Sequence, residues 1–469
     1  MRRLIASLCL SCALLPAAAR ANGAFPASGQ VLSDPTDPAV LWISSTFGVA
    51  KTSDGGASFR LLCEPAIGYF GGFHPFFAVM PSGAIFGGLP DGLSSSRGDT
   101  CIFVRAPELE GLLVPDVSVD STGRALAIAL PDSPAPARVY ASTDDLASWQ
   151  QIGVDLPAKL IPLTIDAAPS DPSRIYVTAI SEGDTPVGML CRTTDGGATW
   201  SSTVVPGSSP SSGPFLGGVD PSNPDRLYVR LNGAPGRLLV SDDGGVTFEQ
   251  AFETQGFFRA FDLSADGASA LMGGDQDGLY RLDTTTLEAQ PLSSIAARCV
   301  NVDGARVYVC GTPSEDGFAA LVSRDGGATF EGLFDQACLA GMLECPTGTS
   351  IGDECPSLWP EIAELLDTST CLQSGSGSGG AGTGATSSAA SSVAASATGG
   401  SSESADDAAS SGCACSGVGH PSAGALGVLV LLSGLSLRRA AKRRSAPDTL
   451  SRPRRPSTRA SRRRSSAQS

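Results

Sequence analysis

The chain has 469 residues, of which 42% are hydrophobic and only 6% aromatic, and its formal net charge is −15. Residues 22–415 contain 17 Lys and Arg against 46 Asp and Glu, whereas the segment after Leu437 contains 12 basic residues and one acid. The strong negative charge of residues 22–415 argues against binding to nucleic acid or to an anionic lipid surface. Two histidines in the whole chain nearly exclude histidine-based catalysis and most transition-metal sites, and we expect no metal and no cofactor.

Residues 1–21 have the pattern of a secretory signal peptide. Residues 2 and 3 are arginines, residues 4–15 are apolar, and Ala19-Arg20-Ala21 offers a small-residue cleavage site before Asn22. A lipoprotein signal ending at Cys12 is the alternative. The pattern predicts a secreted protein.

An eight-residue box recurs between residues 52 and 330. It reads TSDGGASF at 52–59, TTDGGATW at 193–200, SDDGGVTF at 241–248 and SRDGGATF at 323–330, with a worn copy, STDDLASW, at 142–149. Two more eroded copies fall at 96–103 and 282–289, which makes seven copies at steps of 41 to 51 residues. This period is typical of the four-stranded blade of a β-propeller.

Each box has the residues of a tight hairpin corner. Its aspartate can accept hydrogen bonds from nearby backbone N–H groups, the glycine pair allows positive φ, and the last position is aromatic and enters the next strand. We interpret these residues as structural: the aspartates are Asp54, Asp144, Asp195, Asp243 and Asp325, and the aromatic residues are Phe59, Trp149, Trp200, Phe248 and Phe330.

Upstream of the boxes, a turn rich in Pro and Asp is followed by a β-branched and aromatic run, as in DPSNPDRLYV at 220–229. Helical periodicity is almost absent before residue 357. The predicted fold is therefore all-β, a single seven-bladed propeller over residues 22–335, and we expect a monomer.

The box resembles the Asp-box, or BNR, repeat of sialidases, sortilin-type receptors, xyloglucan hydrolases and photosystem assembly factors. The resemblance covers roughly residues 28–335. It implies a β-propeller with the boxes on hairpins around the rim, and it implies no particular activity, because proteins with these repeats have unrelated functions.

Nine cysteines lie between the signal and residue 373, as expected for an oxidising compartment. We predict a Cys299–Cys310 disulfide across two adjacent strands and a Cys63–Cys101 disulfide at a blade junction. Residues 336–372 are interpreted as a small cap held by two bridges of open pairing among Cys338, Cys345, Cys355 and Cys371. Cys191 is left over and expected to be buried.

The end of the chain has three parts. Residues 373–411 are rich in Ser, Gly and Ala and predict a disordered linker. Residues 412–444 contain Cys413 and Cys415, an apolar transmembrane stretch at 423–437 and an arginine cluster, and a basic disordered tail follows at 445–469.

Residues 412–444 resemble the MYXO-CTERM sorting signal. That resemblance implies cleavage near Cys413, with Cys415 as the alternative, by a sorting protease at the membrane, followed by display at the cell surface or outer membrane. A plain C-terminal membrane anchor is the competing interpretation.

Two segments are candidate ligand sites. The aromatic run around His74, with Phe70, Phe73, Phe76 and Phe77, is interpreted as blade core, with a binding patch as the alternative. Residues 275–278 resemble a calcium loop only faintly and are interpreted as a hairpin.

We expect the protein to be a non-catalytic, surface-displayed module that binds a glycan or protein ligand. The alternative is a glycoside hydrolase with paired carboxylates at the propeller channel, and a third possibility is an assembly or scaffold factor. A set of aspartates recurs at the ends of the first strands and is interpreted as turn-forming: Asp120, Asp166, Asp220, Asp266 and Asp303.

Overall fold

The computed structural model of the protein describes residues 28–71, 73–96, 100–132 and 134–371. Within these ranges, 28 strands form seven four-stranded antiparallel sheets, and the strands of each sheet pair in chain order. The predicted all-β, seven-bladed propeller is confirmed.

The blades follow one another along the chain. Blade 1 contains β1 (Ser28–Ser33), β2 (Leu41–Ser45), β3 (Gly48–Thr52) and β4 (Arg60–Cys63). Blade 2 contains β5 (Phe77–Val79), β6 (Ile85–Leu89), β7 (Gly92–Ser96) and β8 (Phe103–Arg105). Blade 3 contains β9 (Leu113–Val119), β10 (Ala125–Leu130), β11 (Arg138–Ser142) and β12 (Gln150–Gln151). Blade 4 contains β13 (Leu160–Ala168), β14 (Asp171–Ser181), β15 (Gly188–Thr193) and β16 (Ser201–Val204).

The last three blades have the same plan. Blade 5 contains β17 (Pro214–Val219), β18 (Leu227–Leu231), β19 (Arg237–Ser241) and β20 (Glu249–Glu253). Blade 6 contains β21 (Phe258–Leu263), β22 (Ser269–Gly274), β23 (Gly278–Asp283) and β24 (Ala289–Ser293). Blade 7 contains β25 (Cys299–Asp303), β26 (Arg306–Cys310), β27 (Ala320–Ser323) and β28 (Glu331–Phe334).

The hydrophobic core lies between neighbouring blades. The middle strands are apolar on both faces because each blade is covered by a blade on either side, and β2 is buried along its whole length. The largest fully buried side chains include Trp42, Phe86, Tyr176, Tyr228 and Phe258. Clusters of buried residues join each blade to the next and one of them joins blade 7 to blade 1, which closes the ring.

The two faces of the ring carry different connections. The turns between first and second strands and the boxes between third and fourth strands lie on one face, which we call the box face. The links between blades and the turns between second and third strands lie on the opposite face. Two short helices, α1 (Glu64–Ile67) and α2 (Pro313–Asp316), belong to this opposite face.

The box at 193–200 shows the hydrogen bonds of a closed corner. Thr193 Oγ1 donates to Asp195 Oδ1 (2.7 Å), while Thr199 donates its N–H to Oδ1 (2.9 Å) and its hydroxyl to Oδ2 (2.7 Å). The same three bonds recur at Asp54, Asp144, Asp243 and Asp325. In the worn box, Asp145 and Leu146 take the positive φ that glycines take in the other four.

The aromatic residue that ends each box packs between blades. Phe59 and Trp149 are buried, and Trp200, Phe248 and Phe330 pack half-buried against the core. The eroded copy at 282–289 keeps part of the pattern, because Asp283 Oδ1 accepts the N–H groups of Thr285 and Thr286. In the copy at 96–103, residues 97–99 lie outside the described ranges.

Residues 336–371 form a segment that we call the clasp. It contains α3 (Ser350–Glu354), α4 (Trp359–Leu365) and two 3-10 turns at Gln336–Cys338 and Thr368–Thr370. Its residues 340–343 run along the outer edge of β4: Leu61 donates its N–H to Gly341 O (2.9 Å) and accepts from Leu343 N (2.8 Å) at its own carbonyl. The end of the propeller is thereby attached to its first blade.

Two of the predicted disulfides are wrong. Cys63 pairs with Cys355 and Cys101 pairs with Cys345, so no Cys63–Cys101 bridge exists and the clasp is not bridged only within itself. The reason is the pairing of the clasp with β4, which carries its cysteines to blades 1 and 2. The other two bridges are Cys299–Cys310, as predicted, and Cys338–Cys371 within the clasp. Cys191 is free and buried.

Several predictions concern residues outside the described ranges: the signal peptide at 1–21, the linker at 373–411, the segment at 412–444 with Cys413, Cys415 and the stretch at 423–437, and the tail at 445–469. In the part of the chain that the structure describes, no helix is long and apolar enough to cross a membrane.

Candidate active site

The inner strands of blades 3, 4 and 6 place three aspartates near the centre of the ring. Asp116 lies in β9, Asp166 in β13 and Asp262 in β21. Asp116 is 9% exposed, and the other two are partly exposed. None of the three forms an ion pair with a cation of the described residues. They form the candidate active site, which we call the channel carboxylates.

Two of the channel carboxylates hold neighbouring blades together. Asp116 Oδ2 accepts the N–H of Ile165 on the next blade (2.8 Å), and Asp262 Oδ2 accepts that of Val302 (2.7 Å). Thr164 and Gln30 make equivalent bonds, to the N–H groups of Leu216 (3.0 Å) and Phe77 (3.0 Å). The position of Asp116 in the inner strand is thus filled by threonine in blade 4 and by glutamine in blade 1, whereas Asp262 lies at the position that Asp166 has in its own blade.

Asp166 differs because its carboxylate makes no bond to another blade within the described ranges. Of the N–H groups in these ranges, its Oδ1 accepts only that of Ala167 (2.8 Å). The Asp116 carboxylate contacts Ile165, the residue before Asp166, so the two acids lie close together across the junction of blades 3 and 4. Asp166 is the acid with the greatest freedom to interact with a ligand.

All three channel carboxylates have pKa values raised from the ordinary value of an aspartate. Burial, opposed by the N–H donors of Ile165 and Val117 and reinforced by the charge of Asp166, raises the pKa of Asp116 to about 8. Burial and the charges of Asp262 and Asp120 raise the pKa of Asp166 to about 7.

Burial, opposed by the N–H groups of Val302 and Leu263, raises the pKa of Asp262 to about 6, without the contribution from a neighbouring acid that Asp116 and Asp166 receive. Near pH 7 the Asp116 carboxyl is therefore mostly protonated, whereas the Asp262 carboxyl is mostly ionised.

The interpretation of Asp166 as a turn residue is wrong. Asp120 and Asp220 are turn residues, each accepting the N–H of the residue two places on. Asp166 instead lies inside β13, two residues before the strand ends. Sequence reasoning missed Asp116 and Asp262, and the available signal was an acid within a short run otherwise suited to an inner strand, as in LVPDVSV at 113–119.

The aromatic run of residues 70–77 is divided by the structure. Phe77 is buried in blade 2, as expected, but Phe70 is 73% exposed and Phe76 is 41% exposed on the opposite face. His74 lies on the same link between blades 1 and 2. Desolvation and the charge of Arg298 lower its pKa.

The segment 275–278 is a hairpin whose acids are engaged by backbone. Asp275 Oδ1 accepts the N–H of Phe257 (3.1 Å), and Asp277 accepts those of Gln255 (2.7 Å) and Gly256 (3.1 Å). Among the described residues, no group of three or more potential ligands is arranged to hold a metal ion.

No family model matches the chain. A curated protein, a xyloglucanase from Hypocrea jecorina (strain QM6a), is 32% identical over 201 residues, which is 40% of this chain and 21% of the xyloglucanase. The chain thus spans about a fifth of the length of that relative.

Solved structures with a similar fold have low identity to this chain. An ancestral GH74 enzyme is 18% identical with a TM-score of 0.46, covering 65% of this chain and 44% of the enzyme. The extracellular domain of a putative hybrid two component system from B. thetaiotaomicron is 16% identical with a TM-score of 0.45, covering 62% and 37%. YCF48 bound to D1 peptide is 18% identical with a TM-score of 0.38, covering 53% and 76%. With all TM-scores at 0.46 or lower, these similarities identify no function.

Proposed function

We propose that the protein hydrolyses glycosidic bonds of a polysaccharide at the channel carboxylates. The observation that carries the proposal is the pair Asp166 and Asp262, two partly exposed acids near the centre of the ring whose charges interact and whose pKa values differ. The local 32% identity to a xyloglucanase supports a polysaccharide substrate, with xyloglucan the first to test.

The two acids suit the two proton transfers of hydrolysis. Asp166, with a pKa of about 7, donates its proton to the glycosidic oxygen as that bond breaks. Asp262, with a pKa of about 6, accepts a proton from the water that attacks the anomeric carbon. One water is consumed, two shorter sugars leave, and the net proton is returned from Asp262 to Asp166 through solvent.

The pH dependence of hydrolysis tests this assignment. Activity needs Asp262 ionised, which requires a pH above about 6, and Asp166 protonated, which requires a pH below about 7. We expect a narrow optimum between these values when the reducing sugar released from xyloglucan is measured against pH.

The matched variants are Asp166→Asn, Asp262→Asn and Asp303→Asn. The first two should each lower kcat by about 10²- to 10⁴-fold, the usual contribution of a general acid or base. Asp303 lies exposed at the end of β25 and should keep full activity when replaced. Hydrolysis that survives in Asp166→Asn, or no hydrolysis of any polysaccharide by the wild type, would refute the proposal.

A second candidate is a non-catalytic module that binds a glycan or protein. The observation in its favour is that Asp116 and Asp262 already hold adjacent blades together, which is a structural use of the same acids. Polysaccharide binding without release of reducing sugar would favour this candidate.

We also propose that the boxes are Asp-box (BNR) repeats, supported by one hydrogen-bond pattern in five copies and by its partial survival at Asp283.

The four disulfides support export to an oxidising compartment. Display at the surface through cleavage near Cys413 or Cys415 stays a proposal. It predicts that the double variant Cys413→Ala, Cys415→Ala keeps its C-terminal tail, which a heavier band in the membrane fraction would reveal.

A further inference from the structure

Three arginines meet where the inner strands of blades 5 to 7 begin, on the opposite face. Arg230 lies near the end of β18 and pairs across the sheet with Phe215 on β17. Arg259 is the second residue of β21, and Arg298 directly precedes β25. Strand β21 packs against both β17 and β25, so the three side chains come from adjoining elements. We call them the arginine cluster.

The cluster is held in place by backbone and aromatic contacts. Arg230 Nη1 donates to the carbonyls of Phe258 (3.1 Å) and Arg259 (2.6 Å), and its guanidinium lies 5.7 Å from the ring centre of Phe215. The Arg259 guanidinium lies 4.6 Å from the ring centre of Phe257. These contacts order two of the guanidinium groups without neutralising them.

The cluster makes few ion pairs. The Nε of Arg259 is 3.8 Å from an Asp275 carboxylate oxygen, the one ion pair that the cluster makes within the described residues. The other oxygen of Asp275 accepts a backbone N–H. Asp277 and Asp316, the other acids of nearby turns, are likewise engaged by backbone N–H groups. Arg230 and Arg298 form no ion pair with an acid of the described residues, so a ligand carboxylate could pair with either guanidinium.

The arginines of the cluster also affect one another's pKa values. Burial and the charge of Arg259 lower the pKa of Arg230 to about 10. Burial, offset in part by Asp275, and the charge of Arg298 lower the pKa of Arg259. A bound anion would offset the part of these shifts that the neighbouring arginines cause.

We infer that the arginine cluster binds a carboxylate carried by an acidic glycan, such as a polymer of uronic acid. Guanidinium groups donate two parallel hydrogen bonds to a carboxylate, and the Arg259 side chain is 21% exposed and therefore accessible. This inference concerns the opposite face and requires no hydrolysis, so it stands or falls independently of the proposed function.

The test compares ligands that differ only in charge. Calorimetric titration of the full-length protein would use hexagalacturonate, its fully methyl-esterified form and poly-L-glutamate. We expect hexagalacturonate to bind and its neutral ester to bind at least about tenfold more weakly. Equal binding of the acid and the ester would overturn the inference, and so would tighter binding of poly-L-glutamate, which would identify an acidic peptide as the ligand.

Matched variants locate the site. Arg298→Gln and Arg259→Gln should each weaken hexagalacturonate binding about tenfold or more, whereas Arg324→Gln, on the exposed surface of blade 7, should not change it. Melting temperatures equal to the wild type would show that the variants fold. Arg298→Lys keeps the positive charge and should keep part of the affinity that Arg298→Gln loses. Unchanged affinity in a folded Arg298→Gln variant would refute the assignment.

Discussion

The aspartates of this chain show how surroundings move one chemical group in opposite directions. In the boxes, the hydroxyl of Thr193 and the hydroxyl and N–H groups of Thr199 lower the pKa of Asp195 to about 2. Between the blades, burial raises the pKa of Asp116 to about 8. The first group stabilises the fold when it is ionised, and the second when it is protonated.

Replacing a box aspartate should destabilise the fold only where that aspartate is ionised. Because the folded pKa of Asp195 lies below its unfolded value, its contribution is complete above about pH 4 and is lost as the pH falls through about 2. Asp195→Ala should therefore melt a few degrees below the wild type at pH 7, with the gap closing toward pH 2. Asp184→Ala, in an exposed turn of the same blade, is the control, and a gap that does not depend on pH would contradict the prediction.

Replacing Asp116 by asparagine should make stability less dependent on pH. The folded pKa of Asp116 is raised, so wild-type stability falls as the pH rises from about 4 to about 8. An asparagine cannot ionise, and its amide oxygen can still accept the N–H of Ile165. Urea unfolding should show Asp116→Asn gaining on the wild type by roughly 1 kcal/mol or more over this range.

Thr164→Val provides the control for Asp116→Asn. It removes the equivalent bond between blades 4 and 5 without removing a charge. Its loss of stability should be the same at every pH. If Asp116→Asn behaved in this way, the raised pKa of Asp116 would be refuted.

At the scale of elements, the repeats were predictable and the inner strands were not. The boxes are recognisable because the same turn needs similar residues in successive blades. Counting the boxes therefore predicted the number of blades. The inner-strand position tolerates aspartate, threonine or glutamine, since its role is to offer an acceptor to the next blade. Asp116 and Asp262 therefore carried no repeated signal, and their proximity to Asp166 appears only once the blades are assembled.

The disulfides follow the same division between local and long-range information. Cys299 and Cys310 face each other on adjacent strands, and a separation of 11 residues made that pair predictable. Cys63 and Cys355 are 292 residues apart, and their pairing depends on the clasp lying along β4. No pattern in the residues 336–371 indicates that parallel pairing.

The two kinds of disulfide should differ in their effect on stability. In the chain-entropy description, a bridge that closes a longer loop restricts the unfolded chain more. Cys63→Ala with Cys355→Ala should therefore lower the free energy of unfolding by roughly 4–5 kcal/mol, and Cys299→Ala with Cys310→Ala by roughly 2–3 kcal/mol. Guanidinium unfolding would measure both, with Cys191→Ala as the control for losing a buried sulfur, and a smaller loss for the first pair would contradict the prediction.

At the scale of the whole molecule, every blade is built from one continuous stretch of chain, so none of the described strands is exchanged between the first and last blades. Blades 7 and 1 meet through packing, in which Phe59 and Phe334 have ring centres 4.9 Å apart. Arg306 also donates to the carbonyl of Pro38 (3.1 Å). The covalent fastening comes from the clasp, through Cys355 to blade 1 and Cys345 to blade 2.

The clasp thereby sets the order of events during synthesis. Its two partner cysteines, Cys63 and Cys101, are translated before blades 3 to 7, so their bridges to the clasp cannot form until those five blades have been made. A nascent chain that ends at Phe334 contains all 28 described strands but lacks the clasp, and therefore lacks both bridges to blades 1 and 2. Covalent closure of the ring therefore requires both that translation has passed residue 355 and that the thiols of the clasp and of blades 1 and 2 are oxidised.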